Sequence, residues 1–216
     1  MKRFIVLSLL AASLAAGPAR AQFGVAWRKM PTVTVIGAQG DPRLDLVDEA
    51  VAFWNRTLQE TGSAFRLGPV SRVAQPVPEE ALRALSESTV GPAFGRPRIP
   101  PALQGLPGDL TILLGDSDFI SFAGPFDASG KRVVGIRGPT HPPMQLPNVA
   151  RNVITHEIGH AIGLGHNGDP AMLMCGRPAS CRPSLFSSAQ PRLFPLTDEE
   201  KQQLRRLYPP DWRPLP

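Results

Sequence analysis

Three of the four histidines in this chain fall within one eleven-residue segment, His156-Glu-Ile-Gly-His-Ala-Ile-Gly-Leu-Gly-His166. Two histidines four residues apart on a helix lie one turn apart on the same face, so both imidazoles can reach one metal ion. Three imidazole nitrogens and an open fourth position are typical of a catalytic zinc site, and Glu157 is close enough to touch a water there without being a ligand. The segment therefore predicts a zinc site with Glu157 as general base and three ligands, His156, His160 and His166.

The same segment predicts how the third histidine returns to the metal. A helix over Asn148–Ile162 would place Ile154 and Ile158 on a separate face that can pack on the core. Gly163 can then adopt the positive φ at which many helices end. We expect the chain to turn there and to bring His166 back towards the metal. Five chosen positions should match by chance in roughly one chain in 10⁵ of this length.

At these residues the sequence resembles the metzincin zinc peptidases, whose extended motif is HExxHxxGxxH followed by a methionine turn. Within the metzincins it is most similar to the catalytic domain of the matrixins, the matrix metalloproteinases. Met174 lies where that family has its turn methionine, and Leu196–Tyr208 looks like its closing helix. Gly124–Asp127 is loosely similar to a matrixin loop near the edge strand.

The resemblance implies an α+β, zincin-like fold, in which a twisted mixed β-sheet packs on an active-site helix and a C-terminal helix. It implies a zinc-dependent endopeptidase that acts on protein or peptide substrates, with Glu157 taking a proton from the attacking water. It also implies that substrate pairs antiparallel to an edge strand, which the sequence places around Val133–Ile136. Two other functions stay open: a zinc-binding interaction module without peptidase activity, and a zinc amidase acting on a cell-wall linkage.

Other features of matrixins find less support in the residues. A calcium site could use Asp127, whereas a second, structural zinc is not expected because only His141 is left to bind it. A zinc-capping pro-domain does not fit in the short stretch before the first strand. A separate inhibitor protein is therefore one candidate for restraining the activity, and we expect a monomer.

The first residues resemble a secretory signal. Lys2 and Arg3 precede an apolar stretch, Phe4–Ala16, and Ala19-Arg20-Ala21 supplies a small-x-small cleavage site. The sequence thus predicts a signal peptide over residues 1–21, a mature chain without a membrane span, and a secreted, extracellular or periplasmic location. The full chain carries 23 basic and 18 acidic residues, and losing the three basic residues of the signal leaves a net charge of +2. So small an excess gives no reason to expect nucleic-acid binding.

The remaining residues, 22–216, are expected to form one metallopeptidase domain with a Pro/Gly-rich surface excursion at about 75–108. Cys175 and Cys181 predict a small disulfide loop, since an exported chain meets an oxidising compartment. A capping box at Thr197 and Glu200 predicts the start of the last helix, which should end at Leu207. The other expected elements are strands over 32–36, 64–73, 109–115 and 132–137, a helix from Asp41-Pro42 to Gly62, and a short helix near 78–86.

Overall fold

A five-stranded mixed sheet organises the computed structural model, which describes residues 25–90, 98–176 and 190–215. The strands lie in the order β2-β1-β3-β5-β4; only β4 is antiparallel to its neighbour. The expected α+β class with a mixed sheet, an active-site helix and a C-terminal helix is confirmed. The elements are β1 (Val33–Gly37), α1 (Arg43–Glu60), β2 (Val70–Ala74), α2 (Glu79–Val90), β3 (Leu110–Leu114), β4 (Phe122–Pro125), β5 (Arg132–Ile136), α3 (Pro147–Ala161) and α4 (Asp198–Leu207).

The edge strand next to the active-site helix is β4, so the prediction that Val133–Ile136 forms the edge was wrong. Strand β5 lies inside the sheet, between β3 and β4, and the side chains of Val133, Val134 and Ile136 are fully buried. An apolar run of this kind suits an interior strand, whereas Pro125 in β4 is tolerated because an edge strand needs fewer ladder hydrogen bonds.

Alternating side chains of the central strands build two cores, one on each face of the sheet. On one face, Ile112 and Val134 pack with α1 and α3 around Trp54. On the other face, Leu113 and Val133 pack with residues of α2. Side chains of successive strand residues point to opposite faces, so a strand covered on both sides must be apolar at every position. Helix α3 is thereby packed against one face of the sheet.

Most element boundaries differ from the sequence predictions by a few residues. Helix α1 begins at Arg43, whose N–H donates to Asp41 Oδ1 at 2.8 Å, so Asp41 caps the helix from one residue earlier than a standard N-cap. Strand β2 begins at Val70 rather than near residue 64. The last helix is as predicted: Thr197 and Glu200 form a complete capping box, and the helix ends at Leu207.

Some predictions concern residues that the structure does not describe. The expected signal peptide, residues 1–21, lies outside the described residues, as does Cys181. Cys175 is disulfide-bonded. Within the described ranges, no helix has both the length and the apolar character needed to cross a bilayer.

Candidate metal centre

Helix α3 positions the first two histidines and the glutamate in the protein interior. His156 and His160 are each 5% exposed, and Glu157 is 7% exposed. Ile154 and Ile158, on another face of the same helix, are fully buried in the main core. The helix thus holds the candidate ligands on one side through close packing on the other, which is what the 3.6-residue period of the sequence predicts.

The turn after α3 reverses the chain as Gly163 predicts. Gly163 has a φ of +103°, a region that glycine enters without steric cost. Its N–H donates to His160 O at 2.9 Å, and the Leu164 N–H donates back to Gly159 O at 3.0 Å. These two bonds satisfy carbonyls at the helix end, as in a Schellman motif. The chain then leads directly to the exposed His166.

The three imidazoles converge on one point. His166 Nε2 lies 3.2 Å from His156 Nε2 and 2.9 Å from His160 Nε2. Ligands about 2.0–2.1 Å from a tetrahedral zinc ion are separated from one another by roughly 3.3 Å, which is close to both distances. In the part of the chain that the structure describes, this is the one group of three or more histidine, cysteine or acidic side chains arranged to hold a metal ion. The site therefore has the dimensions of a zinc site.

Backbone carbonyls orient the two helical histidines. His156 Nδ1 lies 2.7 Å from Leu173 O, and His160 Nδ1 lies 2.8 Å from Leu164 O. A carbonyl can only accept, so each Nδ1 must carry the proton and each Nε2 must present a lone pair to the centre. Lone pairs that meet in this way repel one another unless a cation lies between them. The donor set therefore fits a metal ion.

Electrostatics favour the neutral, ligating form of His160. Burial, and secondly the nearby charge of His166, lowers the pKa of His160 to about 4. The imidazole is therefore neutral at physiological pH, and no proton competes with a metal for its lone pair.

Met174 packs against helix α3 at the residue next to His160. It is fully buried, and its side chain packs against Gly159 of α3. The indole of Trp54 touches the same glycine and donates from Nε1 to Thr155 O at 2.9 Å. A glycine is required at position 159 because a Cβ there would lie 2.6 Å from Met174 Sδ. These contacts join α1, α3 and the segment around Met174 next to His160.

Three residues near the third histidine were not singled out for this role from the sequence. The backbone of Gly176 packs against the His166 ring. The backbone of Asn167 hydrogen-bonds to both Met174 and Gly176, and its side chain donates to Glu200 of helix α4. The sequence signal for Glu200 indicated only a helix cap. No local pattern marks Gly176 or Asn167, because their partners are brought together by the fold.

Asp127, the candidate calcium ligand, caps a turn. Its Oδ1 accepts the Ser129 N–H at 2.8 Å and also the Ser129 hydroxyl. The hydrogen bond from the Ser129 side chain is the main cause that lowers the pKa of Asp127. Calcium binding at this position stays a prediction.

Comparisons with known proteins found similarity to one solved structure and to several curated sequences. No family model matches it. Its fold is similar to the crystal structure of archaemetzincin from Methanopyrus kandleri, with a TM-score of 0.46, 20% identity, and coverage of 83% of this chain and 96% of that one. It is 31% identical over 131 residues to matrix metalloproteinase-16 of Homo sapiens and of Mus musculus, matches that cover 50% of this chain. The resemblance to the metzincins is confirmed. The chain spans about 20% of the length of these curated relatives.

Proposed function

We propose that this chain is a secreted zinc endopeptidase of the matrixin type, which hydrolyses peptide bonds in proteins. The observation that supports the proposal most directly is the convergence of the Nε2 atoms of His156, His160 and His166, with the first two oriented by backbone carbonyls. Zinc bound by these three nitrogens would supply Lewis-acid chemistry at an open fourth position.

Glu157 acts as the general base. It follows His156 on the same helix and is held in a largely buried position beside the candidate ligands. Its carboxylate accepts a proton from the attacking water as the new C–O bond forms. It then returns the proton to the amide nitrogen as the C–N bond breaks, so that the products are a carboxylate and an amine.

The substrate extends along β4. This strand forms the edge of the sheet, is paired with β5 on one side, and packs near α3. An extended peptide can add to such an edge through its backbone groups, which explains how an enzyme could accept many sequences. Secretion is supported by the signal-like residues 1–21 and by the disulfide at Cys175, a bond typical of oxidising compartments.

The test compares zinc content and hydrolysis of casein or gelatin in the mature wild type, Glu157→Gln and His166→Ala. We expect wild type and Glu157→Gln to hold about one zinc each, since Glu157 is not a ligand. Glu157→Gln should lose activity by a factor of about 10² to 10⁴, the usual worth of a general base. His166→Ala should lose most of its zinc. Glu199→Gln, the same change at an exposed glutamate of α4, is the matched control and should leave both quantities unchanged.

Other outcomes separate the competing functions. A wild type that holds zinc but cleaves no protein would contradict the peptidase proposal and favour an interaction module. Release of products from purified cell-wall material, without protein cleavage, would instead favour an amidase. Activity that survives in Glu157→Gln would exclude the role of Glu157.

A further inference from the structure

The third histidine is held differently from the other two. His156 and His160 are buried on α3, whereas His166 lies on the loop after the helix and is exposed. Packing of the helix in the core cannot by itself determine where His166 lies. Its position must depend on the contacts of the loop that carries it, residues 166–176.

Asn167 joins the two arms of this loop. Its N–H donates to Met174 O, and its carbonyl accepts the Gly176 N–H, both at 2.9 Å. Gly176 in turn lies against the His166 ring, so closely that a Cβ at position 176 would be 2.2 Å from His166 Cγ. Asn167 therefore sets the distance between the methionine turn and the ring of the third histidine.

A buried carboxylate from α4 holds the side chain of Asn167. Glu200 is 5% exposed; its Oε1 accepts from Asn167 Nδ2 at 2.6 Å, and its Oε2 accepts the Thr197 N–H at 2.7 Å. The orientation of the Asn167 amide is determined because its Oδ1 accepts the Asp169 N–H at 2.8 Å. Both groups that face Glu200 are thus donors. Only a carboxylate, which accepts through both oxygens, can satisfy both of them.

We propose that Glu200 is a positioning residue for the metal centre, acting through Asn167 on His166, in addition to capping α4. This inference rests on the proposed function, since it concerns the affinity of the three histidines for zinc. A helix cap needs only the bonds between Glu200 and Thr197. The hydrogen bond to Asn167, 33 residues away in sequence, contributes nothing to the cap. It ties the last helix to the loop of the third ligand.

Exchanging donor and acceptor across this hydrogen bond tests the proposal. In Glu200→Gln, the side chain can keep the Thr197 N–H or the Asn167 amide as a donor partner, but not both. In Asn167→Asp, two carboxylates face each other and repel. The double variant should restore every bond: Gln at position 200 accepts the Thr197 N–H and donates to Asp at position 167, whose other oxygen accepts the Asp169 N–H.

Thr197→Ala is the matched control for the capping role. It removes the hydroxyl that accepts the Glu200 N–H at 3.1 Å, but it leaves both donors to the Glu200 carboxylate in place. The measurement is the zinc dissociation constant, determined by competition with a chromophoric chelator, together with the melting temperature of each metal-free protein.

We expect each single variant, Glu200→Gln and Asn167→Asp, to bind zinc about tenfold more weakly, as is usual when support of a metal ligand is lost. The double variant should return close to wild-type affinity. Thr197→Ala should melt at a lower temperature and bind zinc as wild type does.

Three results would overturn the inference while leaving the proposed function intact: unchanged affinity in the single variants, a double variant no better than either single one, or an equal loss of affinity in Thr197→Ala. In each of these cases the wild type still binds zinc and cleaves protein. A wild type that binds no zinc would instead overturn the proposed function and this inference with it.

Discussion

The side chain of Met174 lies directly against Gly159, so that a Cβ added to this glycine would be 2.6 Å from Met174 Sδ. The same Cβ would be 2.8 Å from Cζ2 of Trp54. Thioether carbons and sulfur can shift, but the indole is held by its hydrogen bond to Thr155 O. The helix can therefore approach the methionine turn this closely only without a side chain at position 159.

Gly159→Ala should destabilise the protein. Alanine gains about 1 kcal/mol in helix propensity over glycine. Overpacking of a core costs about 1–3 kcal/mol, and the rigid Trp54 leaves little room for relaxation. We expect a net loss of about 1 kcal/mol in the free energy of unfolding, measured with urea. Gly168→Ala is the matched control because a Cβ there meets no atom within 4 Å. Equal stability of the two variants would contradict this packing argument.

Gly176→Ala should weaken zinc binding with little effect on stability. The new Cβ would lie 2.2 Å from His166 Cγ, and the exposed imidazole can yield only by leaving its position. Loss of ligand support usually weakens metal binding by about tenfold or more. Chelator competition gives the zinc affinity, and urea unfolding of the metal-free protein gives the stability. If the zinc affinity is unchanged, the contact between Gly176 and the ring has no role in positioning the ligand.

Tyr208 should titrate at an unusually high pH. Burial raises the pKa of this phenol to about 12, and its hydroxyl donates to Ile162 O at 2.9 Å. It is the only tyrosine in the chain, so the ultraviolet absorbance of phenolate reports on it alone. We expect a midpoint near pH 12 in the native protein and near the ordinary value of about 10 in denaturant. The same midpoint in both states would exclude the burial effect.

The sign of the linked stability change follows from this shift. The folded state holds the Tyr208 proton more tightly than the unfolded state, so the extra stability is present below about pH 10 and is lost as the pH rises towards 12. Tyr208→Phe should lack this component of the alkaline stability loss. Urea unfolding of both proteins at several pH values in this range would measure the difference.

Asp41→Ala should cost much more stability than a surface charge change. Asp41 and Arg43 form an almost completely buried ion pair at 2.6 Å. Removing the carboxylate leaves a buried guanidinium whose other acidic neighbour, Asp116, is 3.4 Å away with a 66% exposed side chain. Breaking a buried pair on one side costs about 3–5 kcal/mol.

Asp48→Ala is the control for this prediction. Asp48 pairs with Arg72 on the surface, where water screens the interaction. Urea unfolding should therefore show little change for Asp48→Ala beside a large loss for Asp41→Ala. A similar small effect in both variants would indicate that water reaches Arg43 and replaces the missing partner.

The parts of the fold that depend on local pattern were predictable from the sequence. The spacing of His156 and His160 on a helix, the turn at Gly163 and the capping box at Thr197 all depend on residues within a few positions of one another. The order of the strands was not predictable in this way. Whether β5 or β4 lies at the edge is decided by pairing between distant strands, and the apolar run Val133–Ile136 suits an interior strand as well as an edge packed on a helix.

Long-range hydrogen bonds that tie the helices to the rest of the fold also could not be predicted from local sequence patterns. Trp27 Nε1 donates to Ala161 O, 134 residues away, at the end of the active-site helix. Arg43 looks like an ordinary helix residue, yet its Nη1 donates to Gly115 O and Arg137 O, 72 and 94 residues away. A polar side chain in sequence does not show which distant carbonyl it will reach, because the fold brings the two together.

The link between Asn167 and Glu200 has a consequence for how the protein is made. Helix α4 is synthesised after every other element described in the structure, and the loop of the third histidine lacks its support until that helix has formed. In a nascent chain, the third histidine therefore lacks the contribution of Glu200, while His156 and His160 are already carried by α3. The three-histidine site would therefore gain its full affinity for metal only after the last helix of the chain has been made and has packed against this loop, so the order of synthesis delays the completion of the metal centre.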